Sequence, residues 1–118
     1  MQIDLIAVLA LLTAHFVGDF LLQNDWMALN KSKSWWVLTA HCFVYSVLVG
    51  ATLATYTNNS PMAVLLVFAP HFLTDAITSR ITAKLWQANQ RHWFFVTIGF
   101  DQLLHAIQLL LTLYFLGN

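Results

Sequence analysis

Glutamate is absent from this 118-residue chain and charge is scarce, with 8% charged residues against 59% hydrophobic ones. A soluble globular domain carries ~25% charged and ~45–50% apolar residues. A water-soluble monomer of this size could not hide so much apolar surface, because it buries only roughly two-thirds of what the unfolded chain exposes. The composition excludes a soluble enzyme domain and a disordered chain. Five basic and five acidic residues cancel, so no net field attracts nucleic acid. Cysteine occurs once, as Cys42, which excludes an intramolecular disulfide. What remains is an all-α integral membrane protein.

A membrane span needs ~20 apolar residues to cross ~30 Å of hydrocarbon. Four stretches meet this, from about Ile3 to Leu22, Trp35 to Tyr56, Pro61 to Ile81 and Trp93 to Leu116. They predict a four-transmembrane-helix bundle forming one domain over residues 1–118. Ser34 before Trp35 and Ser60 before Pro61 read as helix N-caps. The first stretch lacks a basic n-region and an A-x-A cleavage pattern and carries His15 and Asp19, so it reads as a helix of the mature protein.

All five basic residues (Lys31, Lys33, Arg80, Lys84 and Arg91) lie in the first and third connections, and the Thr57–Ser60 connection has none. The positive-inside rule places those two connections in the cytoplasm and both termini on the opposite side. Trp26, Trp35, Trp36, Trp86 and Trp93 flank the same connections, where indole rings favour the headgroup level. Ala76 to Gln90 is amphipathic, which predicts either a cytoplasmic extension of the third helix or a segment along the interface. The two halves share a loose pattern, a span ending in His-x-x-x-Asp, then a basic connection, then a span with an early histidine.

Ionisable side chains within a membrane cost roughly 2.5–3.5 kcal/mol each on insertion scales, so each marks a functional candidate. His15 and Asp19, His71 and Asp75, and Asp101 and His105 are i, i+4 pairs on three different spans, and His41 lies on the remaining one. That spacing puts both members of a pair on one helix face. Counted from the cytoplasmic ends, all seven fall in one slab of the cytoplasmic half of the bilayer. Imidazole and carboxylate are ligands of zinc, manganese and iron, and a carboxylate often orients a ligating histidine. The competing reading is helix glue, a set of satisfied intramembrane hydrogen bonds. No lysine or arginine is expected at this depth, so a divalent cation, zinc first, is the simplest counter-charge for Asp19, Asp75 and Asp101.

Other residues read as structural. Pro70 frees a backbone carbonyl in the third helix. Gly18 and Gly99 suit close helix approach. Tyr45, one turn after His41, is placed to supply a hydroxyl to the site but reads first as packing, Cys42 reads as buried filler, and His92 as solvated beside Arg91. Asp4 reads as terminal, and Asp25 as a cap or a partner of Lys31 or Lys33.

The run from His15 through Gly18, Asp19, Gln23 and Trp26 to Lys31 and Lys33 is distinctive. With His41, His71-x-x-x-Asp75 and Asp101-Gln102-x-x-His105, it resembles the domain-of-unknown-function family 3307 of bacterial and phage inner-membrane proteins. The resemblance covers essentially the whole chain and implies a bacterial inner-membrane location but no activity; with the orientation given by the positive-inside rule, both termini are then expected in the periplasm. In its intramembrane His and Asp alone, the chain is loosely similar to membrane-bound metal-dependent hydrolases.

The function expected is that of a small membrane protein holding a divalent metal near the cytoplasmic face through His15, Asp19, His41, His71, Asp75, Asp101 and His105. As an enzyme it would hydrolyse a lipid-linked or phosphate-containing substrate, with Asp19, Asp75 or Asp101 as the base. No nucleophile elbow or P-loop is present. A haem-binding electron carrier and a non-enzymatic subunit or ion or proton conduit are the alternatives. The apolar perimeter fits a homo-oligomer or a larger membrane assembly.

Overall fold

The computed structural model describes residues 4–57 and 60–116, without the side chains of Ala28 and Ser60. Its regular elements are all helical. Helix α1 (Leu5–Phe16) runs into a π-helical turn (Val17–Leu21), and a short α2 (Asp25–Asn30) follows. Three long helices complete the chain: α3 (Trp35–Ala54), α4 (Ser60–Gln87) and α5 (Arg91–Leu116).

The three long helices are each long and apolar enough to cross a membrane, whereas Leu5–Leu21 is apolar but shorter. Its twelve α-helical and five π-helical residues reach about 25 Å at ~1.5 Å per residue. The expected first span of 3–22 is thus trimmed, and Ile3 lies outside the described residues. The chain leaves the helix at Leu22 and Gln23, and Asn24 then caps α2 by accepting the Met27 N–H at 2.8 Å. Asn24, not Asp25, is therefore the cap, and Asp4 caps α1 through the Ile6 N–H. Ser34 caps α3 as expected, accepting the Val37 N–H. The expected cap at Ser60 concerns a side chain outside the description, as do Asn58 and Asn59 of the second connection.

Helix α4 passes Pro70 as one element and continues six residues beyond Ile81 to Gln87, so the amphipathic stretch is a helical extension. It stops at Asn89, whose left-handed φ of 58° turns the chain while the Gln90 N–H bonds Leu85 O at 2.9 Å. Asparagine tolerates this conformation better than most residues.

Polar groups are handled inside the helices. Thr13, Thr39, Thr52, Thr97 and Thr112 each donate the hydroxyl to the carbonyl four residues back, an arrangement compatible with apolar surroundings. The outward faces carry Leu9, Phe43, Leu65, Leu73, Phe100, Leu103 and Leu111, all exposed. The interior divides in two. Ala7, Leu11, Val49, Leu53, Ala63, Val67, Leu109 and Leu113 form an apolar core toward one end. The histidines and aspartates fill the other, on the side of the basic and tryptophan-rich connections.

Close approach is local. A Cβ on Gly18 would lie 2.8 Å from Tyr45 Cδ2, and one on Gly50 2.7 Å from Val64 Cγ2. Gly18 thus lets the π-helical turn settle on α3. Gly99 serves no such contact, since nothing lies within 4 Å of its would-be Cβ.

Candidate metal centre

His15, Asp19, His41, His71, Asp75, Asp101 and His105 are all buried, and five helical segments deliver them to one place, His15 from the end of α1. The π-helical turn aims Asp19, α3 supplies His41, α4 supplies His71 and Asp75, and α5 supplies Asp101 and His105. The extra residue per turn of a π-helix re-aims side chains, and such turns recur at functional sites.

Four ligand atoms crowd around one point. His41 Nε2 lies 3.2 Å from Asp19 Oδ1, 3.3 Å from Asp75 Oδ2 and 3.3 Å from His71 Nε2. His71 Nε2 lies 3.6 Å from the same Asp19 oxygen and 3.8 Å from the same Asp75 oxygen. Donors at ~2.0–2.1 Å around a tetrahedral zinc ion stand about 3.3–3.4 Å apart. The five separations bracket that value.

Hydrogen bonding alone serves these atoms poorly. His41 Nε2 carries at most one hydrogen and faces three partners. Asp19 Oδ1 and His71 Nδ1 are buried without a well-formed hydrogen bond, and so are both nitrogens of His105. Buried polar groups are normally satisfied, and each exception needs a reason. Three groupings bring ligand atoms within 4.8 Å of one another and can hold a metal ion: Asp19, His71 and His105; His41, His71 and Asp75; and Asp75, Asp101 and His105.

The expectation that no basic side chain reaches this layer is wrong. Lys31 Nζ lies 3.1 Å from Asp75 Oδ2. Lys31 is the C-cap of α2, and its long stem carries the ammonium inward from a connection. Burial disfavours that charge, but Asp75 and Asp19 outweigh the penalty and hold the lysine above its ordinary pKa. Three carboxylates against one ammonium leave an excess of two negative charges, which a single divalent ion cancels with every imidazole neutral.

Beside this centre runs a hydrogen-bonded chain with a fixed direction. The Asp101 carboxylate accepts from Thr78 Oγ1 at 2.6 Å and from Gln102 Nε2 at 3.1 Å. Because the Gln102 NH₂ faces Asp101, its Oε1 accepts from His15 Nε2 at 2.7 Å. The Tyr45 hydroxyl then donates to His15 Nδ1, also at 2.7 Å. Both nitrogens of His15 are thereby engaged, and His15 joins none of the three metal-holding groupings. Tyr45 is more than packing. Its ring also stacks on His71 at 3.8 Å between centroids, so it ties the chain to the ligand cluster. Gln102 and Thr78 are uncharged positions that spacing did not single out, while Tyr45, one turn after His41, does supply the hydroxyl that its position allows.

His92 is exposed, away from this cluster. Cys42 is buried with Leu38 and Ala76 in a small apolar cluster, as expected of filler. Asp25 makes no ion pair among the described residues, so its expected pairing with Lys31 or Lys33 is not formed.

A cavity of about 500 Å³ opens against the site. Asp19, Asp75 and Asp101 line it, while His41, His71 and His105 lie behind them. The carboxylates are thus the accessible side of the centre.

No curated protein and no solved structure matches the chain. A family described as "Protein of unknown function (DUF3307)" matches over residues 7–117, nearly the whole length and every residue of the cluster, and the chain belongs to that family.

Proposed function

We propose that this is a single-domain, four-span bacterial inner-membrane protein, both termini periplasmic, that holds a divalent metal ion near the cytoplasmic face and uses it for hydrolysis. The ligands in this reading are Asp19, His41, His71 and Asp75. The observation that carries it is the spacing of His41 Nε2 and His71 Nε2 from each other and from Asp19 Oδ1 and Asp75 Oδ2, 3.2–3.8 Å, which suits a tetrahedral ion and zinc before manganese or iron.

A metal there supplies Lewis acidity and an activated water. The chain's own residues divide the remaining work. Asp101 lines the cavity and lies outside the four-ligand set, with Thr78 and Gln102 orienting its carboxylate, so it is placed to take a proton. His105 Nδ1, 3.3 Å from Asp101 Oδ2, backs it. His15 positions Gln102 and is not a ligand. The substrate expected is lipid-linked or phosphate-containing, since the cavity joins the carboxylates to lysines and exposed aromatic side chains. A haem reading gains no support: His71 packs on His105 at 4.4 Å and on His41 at 5.3 Å between ring centroids, leaving no slot for a macrocycle.

Elemental analysis and absorption spectra of protein purified in mild detergent test the centre. About one divalent ion per chain and no visible absorption band is the expected result. Metal-free protein whose melting ignores added zinc or chelator would leave the His/Asp pairs as helix glue. Orientation is tested by impermeant thiol labelling, with Asn58→Cys labelled from the periplasm and Lys33→Cys protected. The reverse pattern overturns the topology.

A further inference from the structure

The cavity itself carries more than access to the carboxylates. Its lining mixes two chemistries. Lys31, Lys33, Gln23 and Ser79 supply polar groups, and Phe20, Leu29, Trp86 and Phe94 supply an apolar part. Phe20, Leu29 and Trp86 are largely exposed, so the apolar part continues to the outer surface of the bundle. A volume of about 500 Å³ is that of a small-molecule site, and such sites pair an apolar wall with a few placed polar groups.

Two polar groups in it await a partner. The Ser79 hydroxyl is buried with no hydrogen bond, on a residue only 6% exposed, and Gln23 Oε1 is buried and unpaired as well. An unpaired buried hydroxyl costs about 1–3 kcal/mol, so the geometry favours an occupant that supplies the missing bond. Charge says which kind. With one divalent ion, the three carboxylates and Lys31 balance, and Lys33, exposed at the mouth and unpaired among the described residues, remains. The surplus is one positive charge. That matches a monoanion, such as a phosphodiester, better than a dianionic phosphate monoester or any cation.

Position says where it comes from. Trp26, Trp35, Trp36, Trp86 and Trp93 are all exposed, and the arginine guanidinium groups at this end cover indole rings, Arg80 over Trp35 at 4.0 Å and Arg91 over Trp86 at 3.5 Å. Tryptophan and arginine together mark the headgroup level of a bilayer. The cavity mouth lies in that belt through Trp86.

We propose that the cavity seats a membrane amphiphile with a phosphodiester head, its phosphate between Ser79, Gln23 and Lys33 and its tail leaving over Phe20 and Leu29 into the leaflet. The charge match rests on the metal reading above, while the polar and apolar seats do not. Catalysis would then act on a lipid that enters sideways from the membrane.

The experiment titrates detergent-purified, metal-loaded protein with short-chain phosphatidylglycerol and follows its melting temperature, since a ligand of the folded state raises it. Inorganic phosphate and an uncharged alkyl glucoside form the other arms. The lipid is expected to stabilise and the other two to do little. Lys33→Gln should weaken the lipid by roughly 3–10-fold, the worth of one partly exposed charge contact. Ala83→Trp, which fills the cavity from α4 without touching a ligand, should abolish the effect. Both variants should keep the wild-type metal content. Equal stabilisation by inorganic phosphate would overturn the lipid assignment, and equal stabilisation by the glucoside would overturn the phosphate. Wild type that holds metal but ignores the lipid sinks this inference and leaves the metal centre standing. Wild type that binds the lipid without metal does the reverse.

Discussion

The two halves of the bundle are built from the same helices and obey opposite rules. Toward one end, Leu11, Val49, Leu53, Ala63, Leu109 and Leu113 close a dry core with no polar side chain among them. Toward the other, α3, α4 and α5 place His41, His71, Asp75, Asp101 and His105 at similar burial. In a bilayer the first half would gain little from hydrophobic transfer, because lipid is as apolar as leucine, and would hold by packing. The second is costly to bury and persists only where charge is balanced. An apolar half is sufficient to make a bundle. A polar half buried beside a cavity needs its charge answered, by a bound ion or by hydrogen bonds between helices.

Removing one charge from the polar half is the strongest way to break this contrast. Asp75→Asn keeps the shape of a carboxylate shared by Lys31 and two imidazoles and should lower metal affinity by more than roughly 100-fold, above the ~10–100-fold range of an outer-sphere partner. Melting of the variant should then be indifferent to chelator, whereas wild type should lose about 4 kcal/mol when metal at 1,000 times its Kd is withdrawn. A variant that melts higher than wild type and keeps its metal would mean a mere hydrogen bond.

Lys31→Met comes next. It strands Asp75, and the expected cost is about 1–3 kcal/mol, below that of a fully buried pair because the lysine keeps a 17% exposed side chain. Its pH signature has a definite sign. The pKa of Lys31 is raised on folding, so its stabilisation is complete below the unfolded lysine value of about 10.5 and is lost as pH rises through the folded one. Denaturation followed between pH 9 and 12 should show that alkaline loss in wild type and a shallower one in the variant. Identical slopes would show that the ion pair contributes nothing.

In the apolar half, Leu53→Ala should cost on the order of 1–2 kcal/mol, from lost contacts and a cavity with little transfer penalty. Metal content should not change. Coupled loss of metal would show that the two halves are one cooperative unit. The smallest effects belong to positions that touch neither half. His92→Ala and Gly99→Ala should leave metal content unchanged and shift stability by no more than about 0.5–1 kcal/mol, with the glycine change tending to stabilise its helix. A large loss at Gly99 would reveal a neighbour beyond this chain.

How much of this was legible in the one-dimensional chain depends on range. The helices, the caps at Ser34 and the i, i+4 pairs follow from local spacing, because a helix repeats every 3.6 residues whatever surrounds it. So does the shared layer of His41, His71, Asp75, Asp101 and His105, since depth in a span is set by counting residues from its end. The tertiary structure alone decided the rest. It curtailed the first helix with a π-helical turn, sent Lys31 inward to Asp75, and made Tyr45 and Gln102 part of the site by stacking and hydrogen bonding across helices. The contacts among these join residues 26 to 87 positions apart, and no periodicity within a helix encodes which uncharged neighbour another helix will present. Composition settles that the polar groups must be answered; the packing of one helix on another settles by which partners.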